Sequence, residues 1–246
     1  MIDRNRLRIA LISPKGPLYR NRGGIFRKSL RYMPLTLPTL ASLVPTDLDA
    51  EIICIDEGIE DVDIEMDVDL VGLTVITGTA TRAYELSRQF RERGKTVVLG
   101  GPHVTLVPED ARAHADSIVV GYAEDEWPRL LRDHVAGNLQ PRYNQSPELD
   151  LSGRPLPNRS VLPERRYLTA DVFEATRACV HACSFCVVPS AWGRKPLHKP
   201  VDEVVADIKQ RRARRAIFID LNIIANRDYA RELFTALKPL GIQWYG

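Results

Sequence analysis

The chain alternates strand-length apolar runs with amphipathic segments, and this alternation restricts the folds that it can adopt. Helical spacing of apolar residues predicts helices over Pro38–Leu43, Thr79–Arg93 and Glu124–Val135. Strands that alternate with helices form parallel sheets with helices on both faces. We therefore predict an α/β fold for residues 1–138, a flavodoxin-like, doubly wound parallel sheet whose ligands bind beyond the carboxyl ends of the strands. The predicted strands are Leu7–Ser13, Glu51–Ile55, Leu70–Ile76, Thr96–Leu99 and Ser117–Val120.

Two further segments follow this predicted domain. Residues 139–170 contain five prolines and predict a Pro-rich linker. Residues 171–246 return to the alternation of strands and helices and predict a second domain. Its predicted elements are a strand over Val172–Thr176, a helix over residues 201–208, a strand over Ala216–Leu221, a helix with Asn226 as its N-cap and a third strand over Gly241–Tyr245.

Composition and charge exclude several classes of partner. The 246 residues are 44% hydrophobic and 27% charged, as in a soluble globular protein. The net charge of +2 gives no bulk attraction to nucleic acid or membranes. No apolar run approaches the roughly 20 residues of a membrane span, and the first residues do not form a signal peptide. We therefore expect a cytoplasmic protein, in which Cys54, in the second predicted strand, is a buried structural thiol.

The other three cysteines lie within eight residues, at Cys179, Cys183 and Cys186, with the spacing C-x3-C-x2-C. A [4Fe–4S] cluster usually takes four thiolates. Three thiolates on one loop can bind three of the irons and leave the fourth iron open to a small molecule. Two alternatives remain. A Cys3His zinc site would include His181, but that histidine is only two residues from Cys183, whereas structural zinc ligands usually form two separated pairs. A disulfide is disfavoured in a chain that is expected to be cytoplasmic.

The spacing, with Phe185 directly before the third cysteine, resembles the cluster loop of the radical S-adenosylmethionine (SAM) enzymes. The resemblance implies that the open iron chelates SAM and that reductive cleavage yields a 5′-deoxyadenosyl radical. It also implies that Phe185 lies near the adenine. Asp220 and Asn222 stand where the family often has SAM contacts, although its common G-G-E pattern is absent. The family core is a partial (β/α)6 barrel. Residues 171–246 would supply three of its strands, so we expect a C-terminally truncated fragment.

The first domain resembles the cobalamin (B12)-binding domain that precedes the radical SAM core in one subfamily. Three strand ends carry the resemblance: Thr77-Gly78-Thr79, Gly100-Gly101-Pro102-His103, close to a GGPH pattern, and Gly121-Tyr122-Ala123-Glu124, similar to a G-E-G-E pattern with Ala at its third place. Glycines let a flat macrocycle approach the backbone, and threonine hydroxyls can donate to its tail. A tight turn at the two glycines and a surface histidine remain alternatives. The implied cobalamin contacts are Thr77, Thr79, Gly100, Gly101, His103, Gly121 and Glu124.

A motif of many cobalamin proteins, D-x-H-x-x-G, is absent from the sequence. His134 precedes Gly137 at the right spacing, but Arg132 stands where the aspartate is needed. We therefore expect that no histidine of that motif coordinates cobalt, as is common in the radical SAM subfamily.

These resemblances predict a cobalamin-dependent radical SAM enzyme that methylates or cyclises a small molecule at an unactivated carbon. Its cofactors would be a [4Fe–4S] cluster, SAM and cobalamin, and an external donor such as flavodoxin or ferredoxin would supply the electron. Two alternatives stay open: a radical SAM enzyme with a degenerate, non-cobalamin N-terminal domain, and a non-catalytic iron–sulfur or zinc protein.

Two charge runs complete the sequence features. An acidic run over residues 56–69 predicts an exposed connection. A basic run after the first strand could meet a phosphate or an acidic substrate group, or could be a solvated loop. Its members are Lys15, Arg20, Arg22, Arg27, Lys28 and Arg31.

Overall fold

The computed structural model describes residues 6–16, 32–146 and 148–246. Its first unit is a six-stranded sheet made of β1 (Leu7–Ser13), β2 (Ala50–Asp56), β3 (Leu70–Thr74), β4 (Thr96–Gly100), β5 (Ser117–Val120) and β6 (Arg142–Asn144). All pairs are parallel, and the order is β2-β1-β3-β4-β5-β6. The order reverses between β1 and β3, as in a doubly wound sheet. The predicted fold of this unit is confirmed.

Helices cover both faces of this sheet because successive residues of its buried strands point to opposite sides. Ile9 and Leu11 of β1 face one core, and Ala10 and Ile12 face the other. The first core includes α1 (Thr36–Ser42) and α5 (Glu126–Val135). The second core includes α2 (Ala80–Glu92), α3 (Pro102–Leu106) and α4 (Pro108–Arg112).

Strand β6 was not predicted and lies in the segment assigned to the linker. It extends the sheet by pairing Ile118 with Arg142 and Val119 with Tyr143. Tyr143 is buried, and its hydroxyl donates to Asp133 at 2.8 Å. The strand has only three residues, and two of them are polar, so its sequence carries too little periodicity to be recognised as a strand.

The second unit contains a three-stranded parallel sheet of β7 (Val172–Phe173), β10 (Arg215–Phe218) and β11 (Gln243–Tyr245), in the order β11-β10-β7. Helices α7 (Val201–Arg211) and α8 (Arg227–Leu237) cover it. The predicted N-cap is confirmed, because the Asn226 side chain accepts hydrogen bonds from the backbone N–H groups of Asp228 and Tyr229. The remaining elements of this unit are the antiparallel pair β8 (Thr176–Arg177) and β9 (Leu197–His198) and the helix α6 (Val188–Trp192).

The predicted strand over Val172–Thr176 is wrong as a single element. The chain leaves β7 at Phe173 and enters β8 at Thr176, which belongs to a different sheet. The Asp220 carboxylate accepts hydrogen bonds from the backbone N–H groups of Ala175 and Thr176. Those two donors are therefore taken by a side chain rather than by a neighbouring strand.

The segment between the two units is tied to both of them. On the second unit, the Arg159 guanidinium forms two 2.8 Å hydrogen bonds with the Asp207 carboxylate and one of 2.6 Å with the Val172 carbonyl. On the first unit, the Tyr167 hydroxyl donates to Asp56 at 2.9 Å. The boundaries 1–138, 139–170 and 171–246 stay a proposal.

The acidic run over residues 56–69 is not exposed throughout, although an exposed connection was expected from its sequence. Asp56 and Glu57, at the start of the acidic run, are buried, with exposed fractions of 2% and 0%. Glu57 pairs with Arg82 at 2.6 Å and with Lys15 at 3.4 Å, so the carboxylate is compensated inside the protein.

Among the described helices, none has the length and apolar character needed to cross a membrane. Of the basic run, all members except Lys15 lie outside the described residues: Arg20, Arg22, Arg27, Lys28 and Arg31.

Candidate functional site

A cavity of about 240 Å³ lies at the carboxyl edge of the first sheet, on the side of α1 and α5. Most of its wall is apolar, and the second unit contributes Glu174, Arg177, Trp192 and Ile219 to it. Ligands of doubly wound sheets bind at this edge. The first unit contributes Leu11, Leu35, Thr36, Thr39, Leu40, Leu43, Gly72, Leu73, Thr74, Val98, Gly100, Gly101, Pro102, Val119, Gly121, Tyr122, Ala123, Glu124 and Trp127.

Three glycines predicted from the sequence line this cavity, for different reasons. Gly101 has a φ of +105°, and a Cβ atom there would stand 2.8 Å from the Val75 carbonyl oxygen. Gly121 has a φ of +90°, and its Cβ would stand 3.2 Å from the Cβ of Gln145. Gly100 would meet only Val119, at 3.7 Å, which is an ordinary contact. The backbone therefore requires glycine at 101 and 121, whereas position 100 has room for a methyl group.

Of the predicted polar contacts, Thr77, Thr79 and His103 lie outside the cavity wall. The buried Thr79 hydroxyl interacts with the backbone of Ile76. Nδ1 of His103 lies 3.2 Å from the Thr77 hydroxyl, and its Nε2 lies 3.1 Å from the Tyr84 hydroxyl. These contacts hold the turn after β3 against α3.

The other predicted contact, Glu124, belongs to a buried charge network at the end of the cavity. Its carboxylate pairs with Arg177 of β8, and the same guanidinium pairs with Glu174 at 2.9 Å. Lys199 also pairs with Glu174, at 3.2 Å. Although burial opposes ionisation, the Arg177 and Lys199 cations hold the pKa of Glu174 below its ordinary value. We call Glu124, Arg177, Glu174 and Lys199 the Glu124 network.

The three predicted cluster cysteines follow Arg177 directly along the chain. All are free thiols; Cys179 and Cys186 are half-buried, and Cys183 is exposed. Cys186 N–H donates to the Cys183 carbonyl at 3.0 Å, which forms a turn between those two residues. In the described parts of the chain, no three histidine, cysteine or carboxylate side chains lie close enough together to hold a metal. Three thiols on one short loop suit an iron–sulfur cluster in their chemistry, but their side chains must turn towards one another to bind it.

The three predicted SAM contacts have different surroundings in the structure. Phe185 is 88% exposed, so its ring is available to a ligand. The Asn222 amide donates to the Cys179 sulfur at 3.6 Å. The Asp220 carboxylate is occupied by backbone N–H groups of the β7–β8 connection, and burial raises its pKa above the ordinary value. In this structure Asp220 supports the loop that leads to the cysteines.

Sequence reasoning missed part of the cavity wall. Thr36, Thr39 and Leu40, from α1 and its start, face the cavity, and so does Trp192 of α6. The apolar face of the predicted helix over 38–43 was the only signal for α1. Nothing in the local sequence of α6 indicates that it reaches the other unit, because that contact depends on how the two units pack.

The chain is similar to several known proteins. Residues 43–131 match the B12 binding domain family. The chain is 39% identical to bacteriochlorophyllide d C-8(2)-methyltransferase of Chlorobaculum tepidum over 168 residues, which cover 65% of this chain and 37% of that protein. It is 28% identical to bacteriochlorophyllide d C-12(1)-methyltransferase of the same organism over 186 residues, which cover 72% of this chain and 41% of that protein. The chain thus spans less than half the length of these relatives.

A solved structure shares the fold of both units. The radical SAM methyltransferase TsrM of Kitasatospora setae, solved with cobalamin and a [4Fe–4S] cluster, aligns with a TM-score of 0.66 and 16% identity. The alignment covers 94% of this chain and 52% of TsrM. It confirms the predicted fold class, a B12-binding-like sheet followed by the first part of a radical SAM barrel.

Proposed function

Because the chain contains a B12-binding domain and is homologous to cobalamin-dependent radical SAM methyltransferases, we propose that it binds both cofactors and serves in methyl transfer to a small molecule. The observation that carries the proposal is the cavity at the sheet edge, whose wall includes Glu174 and Arg177, which lead into the cysteine loop. Cyclisation at an unactivated carbon is the alternative reaction. A flavodoxin or ferredoxin would be the electron donor.

The cavity would take part of the cobalamin, not all of it. Its volume of about 240 Å³ lies below the about 300–1,000 Å³ of pockets that enclose a whole small ligand. The apolar wall suits a flat aromatic group such as the base of the nucleotide tail. The corrin ring would then lie outside, against the turns that the sequence analysis identified. We propose as contacts of the cobalamin Thr77, Thr79, Gly100, Gly101, His103, Gly121 and Glu124.

His103 is not proposed as a cobalt ligand. Both of its ring nitrogens lie within hydrogen-bond distance of Thr77 or Tyr84, so coordination would break one of these contacts. His134 lies on α5, and Arg132 stands where a D-x-H-x-x-G motif needs its aspartate. We therefore expect cobalamin to bind without coordination of its cobalt by His103 or His134.

The cysteine loop would hold the second group. We propose Cys179, Cys183 and Cys186 as ligands of a [4Fe–4S] cluster, with Phe185, Asp220 and Asn222 near SAM. When bound, the cluster and SAM would supply a 5′-deoxyadenosyl radical. The protein's part is to present the three sulfurs from one loop. The Asn222 amide would stabilise the thiolate charge of Cys179 by donating to its sulfur.

The test is cofactor loading of the chain under anaerobic conditions. We expect iron and sulfide to load, visible absorbance from bound hydroxocobalamin, and a change in the electron paramagnetic resonance (EPR) spectrum of the reduced cluster when SAM is added. Replacing any of the three loop cysteines with Ala should abolish the cluster, while Cys54→Ala should leave it intact. Zinc without iron would exclude the cluster.

A pair of variants at one position tests the cobalamin site. Gly100→Ala adds a methyl group with ordinary contacts and should still bind, whereas Gly100→Leu should block binding by filling the cavity. Equal cobalamin binding by both variants would place the ligand elsewhere. If iron and SAM bind but cobalamin does not, the radical SAM enzyme with a non-cobalamin first domain is correct.

A further inference from the structure

Tyr122 lies in the turn after β5, where it contacts the residue before the cysteine loop and the helix after it. The loop from Ala178 to Val187 is preceded by Arg177 of β8 and followed by α6, which ends at Trp192. The guanidinium carbon of Arg177 lies 4.9 Å from the centroid of the Tyr122 ring. The Trp192 ring stacks on Tyr122, with centroids 4.4 Å apart and an interplanar angle of 11°. One side chain of the first unit therefore contacts both segments that flank the loop.

These three side chains also form part of the cavity wall. Arg177 is held on one side by the Tyr122 ring and on the other by the carboxylates of Glu124 and Glu174. Glu124 comes from the same turn as Tyr122, and its second oxygen accepts the Ala123 N–H at 3.1 Å. A movement of the loop thus shifts Arg177 against the turn that borders the cavity.

We propose that Tyr122 is a positioning residue that fixes the cysteine loop relative to the cavity, and thereby the separation of the two cofactors. This inference rests on the proposed function. A stacked aromatic pair and a cation–π contact are directional, because the ring quadrupole favours particular offsets and faces. The Glu124 network alone anchors only the start of the loop. Trp192 on Tyr122 adds an anchor in the helix after the loop, and a segment fixed on both sides has fewer conformations than one fixed on one side.

The residue types allow a graded test. Tyr122→Phe keeps the ring and both ring contacts and removes only the hydroxyl, with its hydrogen bond to the Ala178 backbone. Tyr122→Leu removes the ring contacts as well and keeps an apolar side chain of moderate size. Tyr122 is half-buried, so we expect the Leu variant to fold. Phe234→Leu is the matched control, because Phe234 stacks on Trp244 with centroids 5.1 Å apart, within the second unit and away from the cysteine loop.

The first measurement is hydrogen–deuterium exchange of the whole chain without cofactors. Tyr122→Leu should raise exchange in residues 178–192 at least about fivefold, the factor expected from the loss of aromatic and cation–π contacts of ordinary strength. Tyr122→Phe and Phe234→Leu should stay within about twofold of the wild type in that segment. The inference is overturned if Tyr122→Leu exchanges like the wild type or if Phe234→Leu raises exchange equally. Should Tyr122→Leu fail to fold, Trp192→Leu decides the question, with the same fivefold rise expected in residues 187–192.

The second measurement reports the distance between the two cofactors, which a purely structural role of Tyr122 would not change. With cob(II)alamin and the reduced cluster bound, pulsed EPR gives the distance distribution between the two spins. We expect one narrow distribution in the wild type and Tyr122→Phe, and a broader or shifted one in Tyr122→Leu. An unchanged distribution in Tyr122→Leu would refute the positioning role. If the wild type binds no cobalamin, the proposed function fails, and the exchange data still decide whether Tyr122 docks the loop.

Discussion

The two glycines at the end of β4 test the requirement of the backbone for glycine, because alanine at position 101 should destabilise the fold strongly and alanine at position 100 should have little effect. Gly101 has φ +105° and ψ −176°, a conformation that is essentially restricted to glycine and costs another residue about 1–3 kcal/mol. A Cβ atom at Gly101 would also stand 2.8 Å from the Val75 oxygen and 3.0 Å from its nitrogen, and both are backbone atoms. We therefore expect Gly101→Ala to lower the free energy of unfolding by about 3 kcal/mol or more.

Gly100→Ala is the matched control. Its Cβ would lie 3.7 Å from the Cβ of Val119 and 3.8 Å from the Val119 oxygen, which are ordinary contacts. Its effect should stay within about 1 kcal/mol of zero, and the reduced freedom of the unfolded chain favours stabilisation.

Thermal unfolding followed by circular dichroism measures both variants. For a chain of 150–250 residues, 1 kcal/mol moves Tm by about 2–4 °C, so Gly101→Ala should lower Tm by about 6–12 °C and Gly100→Ala by no more than about 4 °C. The transition to score is that of the first unit, because two units need not unfold together. Equal losses for the two variants, or a loss below about 1 kcal/mol for Gly101→Ala, would refute the assignment of the strain to position 101.

Three further predictions concern buried polar groups. Arg159→Met should destabilise by about 3–5 kcal/mol in chemical denaturation, since it leaves the Asp207 carboxylate without the bidentate partner at 2.8 Å. Burial opposes ionisation of Glu57, yet the Arg82 hydrogen bonds hold its pKa below the ordinary 4.5. The ionised carboxylate therefore stabilises the fold above about pH 4.5 and loses this effect as pH falls through the folded-state pKa, so the stability gap between wild type and Glu57→Gln should narrow below pH 4.5. Burial raises the pKa of Cys54 to about 12, so iodoacetamide at pH 8 should modify it only after unfolding.

Each of these predictions has a control within the chain. Arg88→Met breaks a pair with Glu92 in which both side chains are more than half exposed, and it should cost less than about 1 kcal/mol. A loss as large as that of Arg159→Met would contradict the role of burial. A difference in stability between the wild type and Glu57→Gln that stays constant across pH 3–7 would contradict the pKa argument. For the thiols, Cys183 is the exposed reference, and equal labelling rates for Cys54 and Cys183 in the folded protein would contradict the buried position.

Periodicity identified the elements whose residues repeat, and contacts between distant segments decided the rest. Strands β1 and β5 coincide with their predictions because each is a run of mainly buried apolar residues. The strand predicted over Val172–Thr176 divides because Asp220, more than 40 residues later, takes two of its N–H groups. The acidic run gave no indication that Glu57 is buried, because its partners Arg82 and Lys15 lie on other elements.

The candidate site shows the same division. The glycines of the strand ends were recognisable because φ values of +105° and +90° favour glycine, and a glycine is visible in the sequence. The roles of polar residues were not recognisable in this way. Thr79 and His103 satisfy their hydrogen bonds within the turn and with Tyr84, and the partner of Glu124 is an arginine 53 residues away. A side chain's partner depends on packing, which local sequence does not encode.

The Glu124 network is better explained by its effect on the relative orientation of the two units than by its effect on the stability of the fold. Arg177 and Glu124 have side chains only 11% and 5% exposed, and replacing such a buried pair by apolar residues is often neutral or stabilising. Any sliding of one unit over the other, however, would leave a buried charge unpaired at a cost of about 3–5 kcal/mol. We infer that the network selects one alignment of the sheet edge against the cysteine loop. A double-mutant cycle with Glu124→Gln and Arg177→Met tests this. The double variant should recover most of the stability lost by each single variant. Glu124→Gln alone, which keeps the contact between Arg177 and Tyr122, should already show the broadened spin–spin distances expected of Tyr122→Leu. A Glu124→Gln variant that keeps the narrow distance of the wild type would show that the charges do not set the alignment.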